Sequence, residues 1–286
     1  MEKKVKDVQN VENSLKKIEA LRRDLLGNLS GLSFDYINKI SGKLKNEILD
    51  DLTNSITHRY YGIHYHLELL INEHDASNHF LNKNPRHISQ FHSAHSVLQR
   101  STMNQFSLFD SLIFQTLSLF DYNSSLIEYI CGGKKEPKKK WTSICKASRD
   151  KKNNSFSQLK IASLILKINE EWLDKLYFYR SQLIHYKSER GGNLLRQNLK
   201  SGESVIRVYA PQQFVDHFSR LNQLNSKYEI TLRFVSFWLV SKAFSDTIKI
   251  ISEIREFMNN HRVVPKSEQP YSFNRKGDNS HRSKRK

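Results

Sequence analysis

The segment YFYRSQLIHYK, residues 177–187, sets Arg180 and His185 five positions apart within a helical pattern that is otherwise largely apolar. Histidine is the side chain whose ordinary pKa lets it take and return protons near neutral pH. Arginine keeps its charge and offers a planar fork of N–H donors that fits a carboxylate or a phosphate at two points. On a wheel of about 100° per residue, Trp172, Leu173, Leu176, Tyr177, Leu183 and Ile184 fill an arc of about 140°, with Arg180 near its centre. A guanidinium buried there costs several kcal/mol unless a carboxylate lies beside it or a phosphate arrives. His185 falls about 140° away, on the side of Phe178 and Ser181, so one helix does not aim Arg180 and His185 at one point. Ser181 and His185 are four apart and share a face. A two-fold axis beside this helix would gather both groups from two copies around one cleft.

Spacing alone is not specific. Arg59 is followed by His64 and His66, and Arg86 by His92, at similar intervals. A core-edge arginine paired with a carboxylate on a neighbouring helix, with the histidine facing solvent, satisfies the local pattern equally well.

The elements that must carry these residues read as helices. Gly and Pro together number 15 in 286 residues, too few for a turn-rich sandwich or barrel. Residues 3–27 place Val5, Val8, Val11, Leu15, Ile18, Leu21 and Leu25 on one stripe, stopped by Gly27, Asn28 and Gly31. A second helix is expected from Phe34 to Ile71, bent near Gly62, with a loop at 82–85. The most apolar helix spans 106–130 and ends at Gly132 and Gly133. Asp110, Asp121 and Glu128 form an acidic line along its edge. Residues 155–187 read as one long helix or two in succession, 203–210 as a short strand, 212–224 as a helix and 228–258 as a last long helix. The fold class is all-α: a helical bundle with a long N-terminal helical pair (1–96), a bundle region (97–262) and a disordered basic tail (263–286).

The formal charge of +17 is concentrated. Residues 132–153 hold nine Lys or Arg against two acids, and residues 262–286 hold eight against two. These two segments carry +13 of the total, the distribution of a chain that meets a polyanion. Lys134, Lys135, Lys138, Lys139 and Lys140 would hold a phosphate backbone. Eight of the twelve histidines lie between His58 and His95. His92 with His95, or His64 with His66, could begin a zinc site, but no third ligand falls at a persuasive spacing, and no metal is expected. Arg59, Tyr60, Tyr61, His64 and Tyr65 suit base stacking beside phosphate contacts, or equally a helix interface. Cys131 and Cys145 are too few for a disulfide framework and lack zinc-ligand spacing. No run of about 18 uncharged apolar residues exists, and the N-terminus lacks an apolar centre, so a soluble, cytoplasmic protein without a membrane span is expected.

An apolar helix containing LFDSLIFQTLSLFD followed by a helix containing YFYRSQLIHYK resembles the HEPN superfamily, whose hallmark is R, four to six residues, then H on a helix of a bundle. The likeness covers roughly residues 100–190. It implies a metal-independent ribonuclease without a cofactor, dimeric, with Arg180 and His185 as the catalytic pair and Asp121 as an acidic supporter. Toxin and phage-defence roles, an antitoxin and a nucleotidyltransferase partner are known in the family. Ser181 stands where many members have asparagine, and Lys187 stands where some toxins carry the tyrosine that the nucleotidyltransferase modifies; here the tyrosine is Tyr186. RNA brings its own nucleophile, the 2′-hydroxyl, so a proton-transferring histidine and a charge-stabilising arginine suffice. Two other readings stay open: a non-catalytic helical RNA-binding or assembly module, and a structural protein that ignores nucleic acid.

Overall fold

The computed structural model describes residues 4–7, 10–41, 46–84, 91–132, 137, 140–150, 155–185, 192–197, 203–266 and 269–275. The fold is all-α, with short strands at its margins. Strand β1 (Lys4–Lys6) precedes α1 (Val11–Tyr36), which ends in a π turn at Ile37–Ser41; α2 (Glu47–Lys83) and α3 (Phe91–Ile130) follow. Then come α4 (Trp141–Arg149), a 3₁₀ turn (Ser155–Gln158), α5 (Lys160–Ile168), a π turn (Asn169–Leu173) and α6 (Asp174–His185). The hairpin β2 (Asn193–Gln197) and β3 (Ser204–Val208) leads to α7 (Gln212–His217), α8 (Ser219–Asn225), β4 (Tyr228–Ile230) and α9 (Leu232–Asn260). The last strands, β5 (His261–Lys266) and β6 (Gln269–Arg275), pair antiparallel.

Two compact units are present, and neither is a single stretch of chain. The first comprises Met1–Glu19, Arg59–Leu117 and Glu170–Ala243; the second comprises Ala20–His58, Ser118–Asn169 and Phe244–Lys286. Both expected regions, 1–96 and 97–262, therefore contribute to both units.

In the first unit the buried stripe of α2 (Tyr60, Ile63, Leu67, Leu70) and that of α3 (Phe109, Leu112, Ile113) contribute to the core with Trp172, Leu176 and Tyr179. A chain of rings continues it: Tyr179 to Phe214 at 5.0 Å, Phe214 to Phe218 at 4.8 Å and Phe218 to Trp238 at 5.0 Å between centroids. Such edge and tilted contacts add to the area term of burial. Strand β1 lies parallel to β4, pairing Lys4 with Tyr228. Asp7 secures it: its carboxylate accepts from Thr231 Oγ1 at 3.1 Å, meets Arg233 Nη2 at 3.0 Å and is ion-paired with Arg207. The edge of β3 is closed by α2, where Asn82 Oδ1 accepts from the Ser204 N–H and Asn78 Oδ1 from the Ile206 N–H, both at 2.7 Å.

The second unit places the Tyr36 and Tyr129 hydroxyls 3.3 Å apart, and Tyr129 donates to Asn46 Oδ1 at 3.0 Å. Asn46 also accepts from the Leu49 N–H at 3.0 Å, capping the start of α2. Trp141 is fully buried, edge-on to Phe120, and its indole N–H donates to Asn169 Oδ1 at 3.0 Å. Cys131 and Cys145 are buried and are not disulfide-bonded.

Several boundaries differ from those expected. Val5 lies in β1 rather than on the α1 stripe. Helix α1 runs through Gly27 and Gly31. A Cβ on Gly31 would stand 2.8 Å from the Arg255 guanidinium, whose Nε donates to Asp35 Oδ2 at 2.8 Å, so that glycine is a packing gap and not a stop. Helix α2 continues through Gly62, where a Cβ would meet the Gln115 side chain at 3.2 Å. The apolar stretch 106–130 is the later part of a longer helix beginning at Phe91. Within the basic tail expected from 263, strands β5 and β6 pair as far as Arg275; residues 276–286 lie outside the described residues.

Candidate functional site

Helix α6 belongs to the first unit and follows directly from the π turn at Asn169–Leu173. A π turn spends an extra residue per turn, so a wheel anchored on Trp172 drifts out of phase beyond it. The buried positions after Leu176 accordingly centre on Tyr179, and Arg180 sits at the border of the core, half-buried. Its guanidinium carbon lies 5.0 Å from the ring centroid of Phe114 on α3, a cation–π contact with a partly exposed ring. Arg180 Nε is buried without a hydrogen-bond partner, and among the described residues no carboxylate forms an ion pair with the guanidinium. Among the described residues, the carboxylate that the core-edge reading requires is not in place.

The nearest acidic position along α3 is Asp110, one turn before Phe114. Burial pushes its carboxyl up to about 6. Burial and then the Asp110 charge raise the Tyr179 phenol in turn. Tyr177, on the same helix, donates its hydroxyl to the Leu117 carbonyl at 3.4 Å.

Phe178 occupies the other flank of α6. It is 56% exposed, and its ring lies 5.3 Å from the His217 imidazole at the end of α7, tilted by 35°. The His217 ring also meets Tyr179 edge-on at 6.1 Å. His217 Nε2 is buried without a partner, and burial lowers the imidazole pKa; Asp216 opposes this and Lys175 adds to it. Asp174, Lys175, Tyr177, Phe178 and His217 line an open cleft of about 560 Å³. Ser181 is exposed one turn further along. His185 is the last residue of α6, and its side chain lies outside the described residues.

The remaining expected site residues each have their own surroundings. Asp121 is in the second unit, where its Oδ1 accepts from the Trp141 N–H at 2.9 Å and so satisfies an open donor at the start of α4. Lys140 is exposed and supplies its carbonyl to Ser124 Oγ at 3.0 Å; Lys134, Lys135, Lys138 and Lys139 lie outside the described residues. Arg59 is half-buried and donates to Gln115 Oε1 at 3.0 Å. Tyr61 and Tyr65 are exposed at 45% and 57%, one turn apart on α2, whereas Tyr60 is fully buried. His64 is buried against Glu19 at 2.6 Å and Glu68 at 3.5 Å, so the tyrosine-rich segment divides into a core face and a solvent face. Among the described residues no three His, Cys, Asp or Glu side chains group to hold a metal, and no helix is long and apolar enough to cross a membrane.

Sequence reasoning missed Phe114 as the partner of Arg180, and it missed His217 entirely. Only the general pattern of an aromatic beside a cation could have signalled the first; nothing in QQFVDHF singles out the second.

These elements define an all-α protein with an arginine set over the Phe114 ring at the edge of a helical core and an aromatic-lined cleft on the other flank of the same helix. In comparisons with protein-family models, curated proteins and solved structures, nothing matches the chain.

Proposed function

We propose that the protein is a metal-independent endoribonuclease of HEPN type, acting as a homodimer in the cytoplasm in a toxin or phage-defence role. The observation that carries this reading is Arg180: a half-buried guanidinium with an aromatic ring beneath it and no carboxylate paired to it among the described residues. Such a group is ready for an incoming phosphate, which the fork of donors can grip at two points. The RNA 2′-oxygen attacks the adjacent phosphorus, the bond from phosphorus to the 5′-oxygen breaks, and a 2′,3′-cyclic phosphate remains. His185 handles the proton, removing it from the 2′-hydroxyl or delivering it to the leaving 5′-oxygen, and Arg180 stabilises the charge on the crowded phosphorus. Ser181, exposed between them in sequence, supplies a polar contact. The concentrated positive charge supports a polyanionic substrate, held in a salt-sensitive manner.

The test is incubation of the purified full chain with total RNA in EDTA, with end-group analysis of the products. Cyclic phosphate ends are expected, and His185→Ala should abolish them while the far-ultraviolet circular dichroism stays unchanged. Undiminished cleavage by that variant removes the assignment. Salt-sensitive RNA binding without cleavage in the wild type favours the non-catalytic RNA-binding module instead.

A further inference from the structure

The cleft beside Phe178 has no part in the chemistry just described, yet it lies on the same helix. Phe178 and His185 are seven residues apart, two turns of one stripe, which sets their backbone positions about 10 Å apart along the axis. Phe178 is a large apolar side chain left 56% exposed, and its ring is backed by His217, so its orientation is fixed while a face stays open. An open aromatic face is what a nucleobase stacks upon. The cleft is also charged at its rim, since Asp174 and Lys175 line it with the aromatics. Asp174 stands one turn before Phe178 and Lys175 three residues before it, so both flank the ring on the helix surface. Lys175 lines the same cleft as His217, and its charge opposes protonation of that imidazole.

A carboxylate beside an ammonium selects among bases. Guanine presents two adjacent N–H donors, which a carboxylate accepts together, next to a carbonyl oxygen that takes a hydrogen bond from an ammonium. Adenine has no such donor pair, and its ring nitrogen would face the carboxylate lone pairs. Resting on the ribonuclease reading for its substrate, we propose that the cleft of Asp174, Lys175, Phe178 and His217 is a base-recognition subsite for a guanine neighbouring the cleaved linkage. Phe178 supplies the stacking face, Asp174 accepts from the Watson–Crick edge and Lys175 donates to the carbonyl oxygen.

The experiment separates this subsite from the nuclease reading by measuring binding without cleavage. The full chain and the variants Asp174→Asn and Phe178→Ala, both altered at exposed positions, are titrated calorimetrically with guanosine 5′-monophosphate and adenosine 5′-monophosphate. Guanosine monophosphate should bind the wild type at least about tenfold more tightly than adenosine monophosphate. Asp174→Asn should erase that preference with adenosine monophosphate unchanged, and Phe178→Ala should weaken both. Equal affinities in the wild type, no binding, or a guanosine affinity untouched by both variants overturns the subsite. Selective guanosine binding by a chain that cleaves no RNA keeps the subsite and overturns the nuclease; cleavage indifferent to guanine does the reverse.

Discussion

Replacing Arg180 by alanine separates a working cation from a structural one, because the two roles differ in what the fold loses. Among the described residues the guanidinium meets the ring of Phe114 at 5.0 Å, a partly exposed ring, which is worth about 1 kcal/mol. Removing the methylene stem from a half-buried site costs about 1 kcal/mol more. Against this, the variant no longer buries Nε without a partner, which returns about 1 kcal/mol. The net loss is about 1 kcal/mol. An arginine that closed a buried ion pair would behave otherwise, since breaking the pair on one side costs about 3 to 5 kcal/mol. Urea unfolding at 25 °C, followed by far-ultraviolet circular dichroism, reads this as a small fall in midpoint at unchanged slope. Cleavage of a fluorogenic RNA in EDTA should fall about 10²- to 10³-fold, the usual effect of removing one group that stabilises transition-state charge. A stability loss of about 3 kcal/mol or more, or cleavage within a factor of about two of wild type, would refute the reasoning from Arg180.

Two further outcomes follow from the surrounding carboxylates. Asp110 has its pKa raised from 3.8 to about 6, so the folded state holds a proton that the unfolded state releases; the penalty is present above about pH 6 and relieved as the pH falls toward 3.8. Asp110→Asn should therefore stabilise the protein at pH 7.5 by about 1 kcal/mol, after allowance for solvent screening, and by nothing at pH 4, as read from urea midpoints at the two pH values; equal effects at both would contradict burial as the cause. Asp121→Ala removes the acceptor of the Trp141 N–H and should cost about 1 kcal/mol in thermal or urea unfolding while leaving the RNA cleavage rate of the folded protein unchanged, so a fall in rate with stability preserved would return Asp121 to the catalytic group.

Helical periodicity identified most of the long elements because burying one stripe of a helix needs only a local repeat. Ile18 and Leu25 of α1, Phe109, Leu112, Ile113, Leu117, Leu119, Phe120, Leu126, Ile127 and Ile130 of α3, and Val235, Leu239, Phe244, Ile251 and Ile254 of α9 are buried as their spacing predicts, whereas Val11, Leu15 and Leu21 of the α1 stripe and Leu108 of α3 are only partly buried. Helix ends and bends were less legible where glycine was read as a stop, at Gly31, or as a bend, at Gly62. Gly31 and Gly62 serve neighbours distant in sequence, Arg255 and Gln115, and a packing gap looks the same as a terminator in a one-dimensional pattern. The wheel placed Arg180 too deep, because the π turn before it shifts the phase of every later residue and leaves no mark in composition.

The sequence by itself determined the helical class, the concentration of positive charge and the presence of an arginine and a histidine on one short helix. These are properties of residue type and local spacing. Tertiary structure alone decided what surrounds them: Arg180 received the ring of Phe114, Asp121 was taken up by the Trp141 amide, and His217 came from another helix to back Phe178. The physical reason is that a half-buried charge takes its meaning from neighbours distant along the chain, and which neighbour arrives depends on how whole helices pack and where their registers slip.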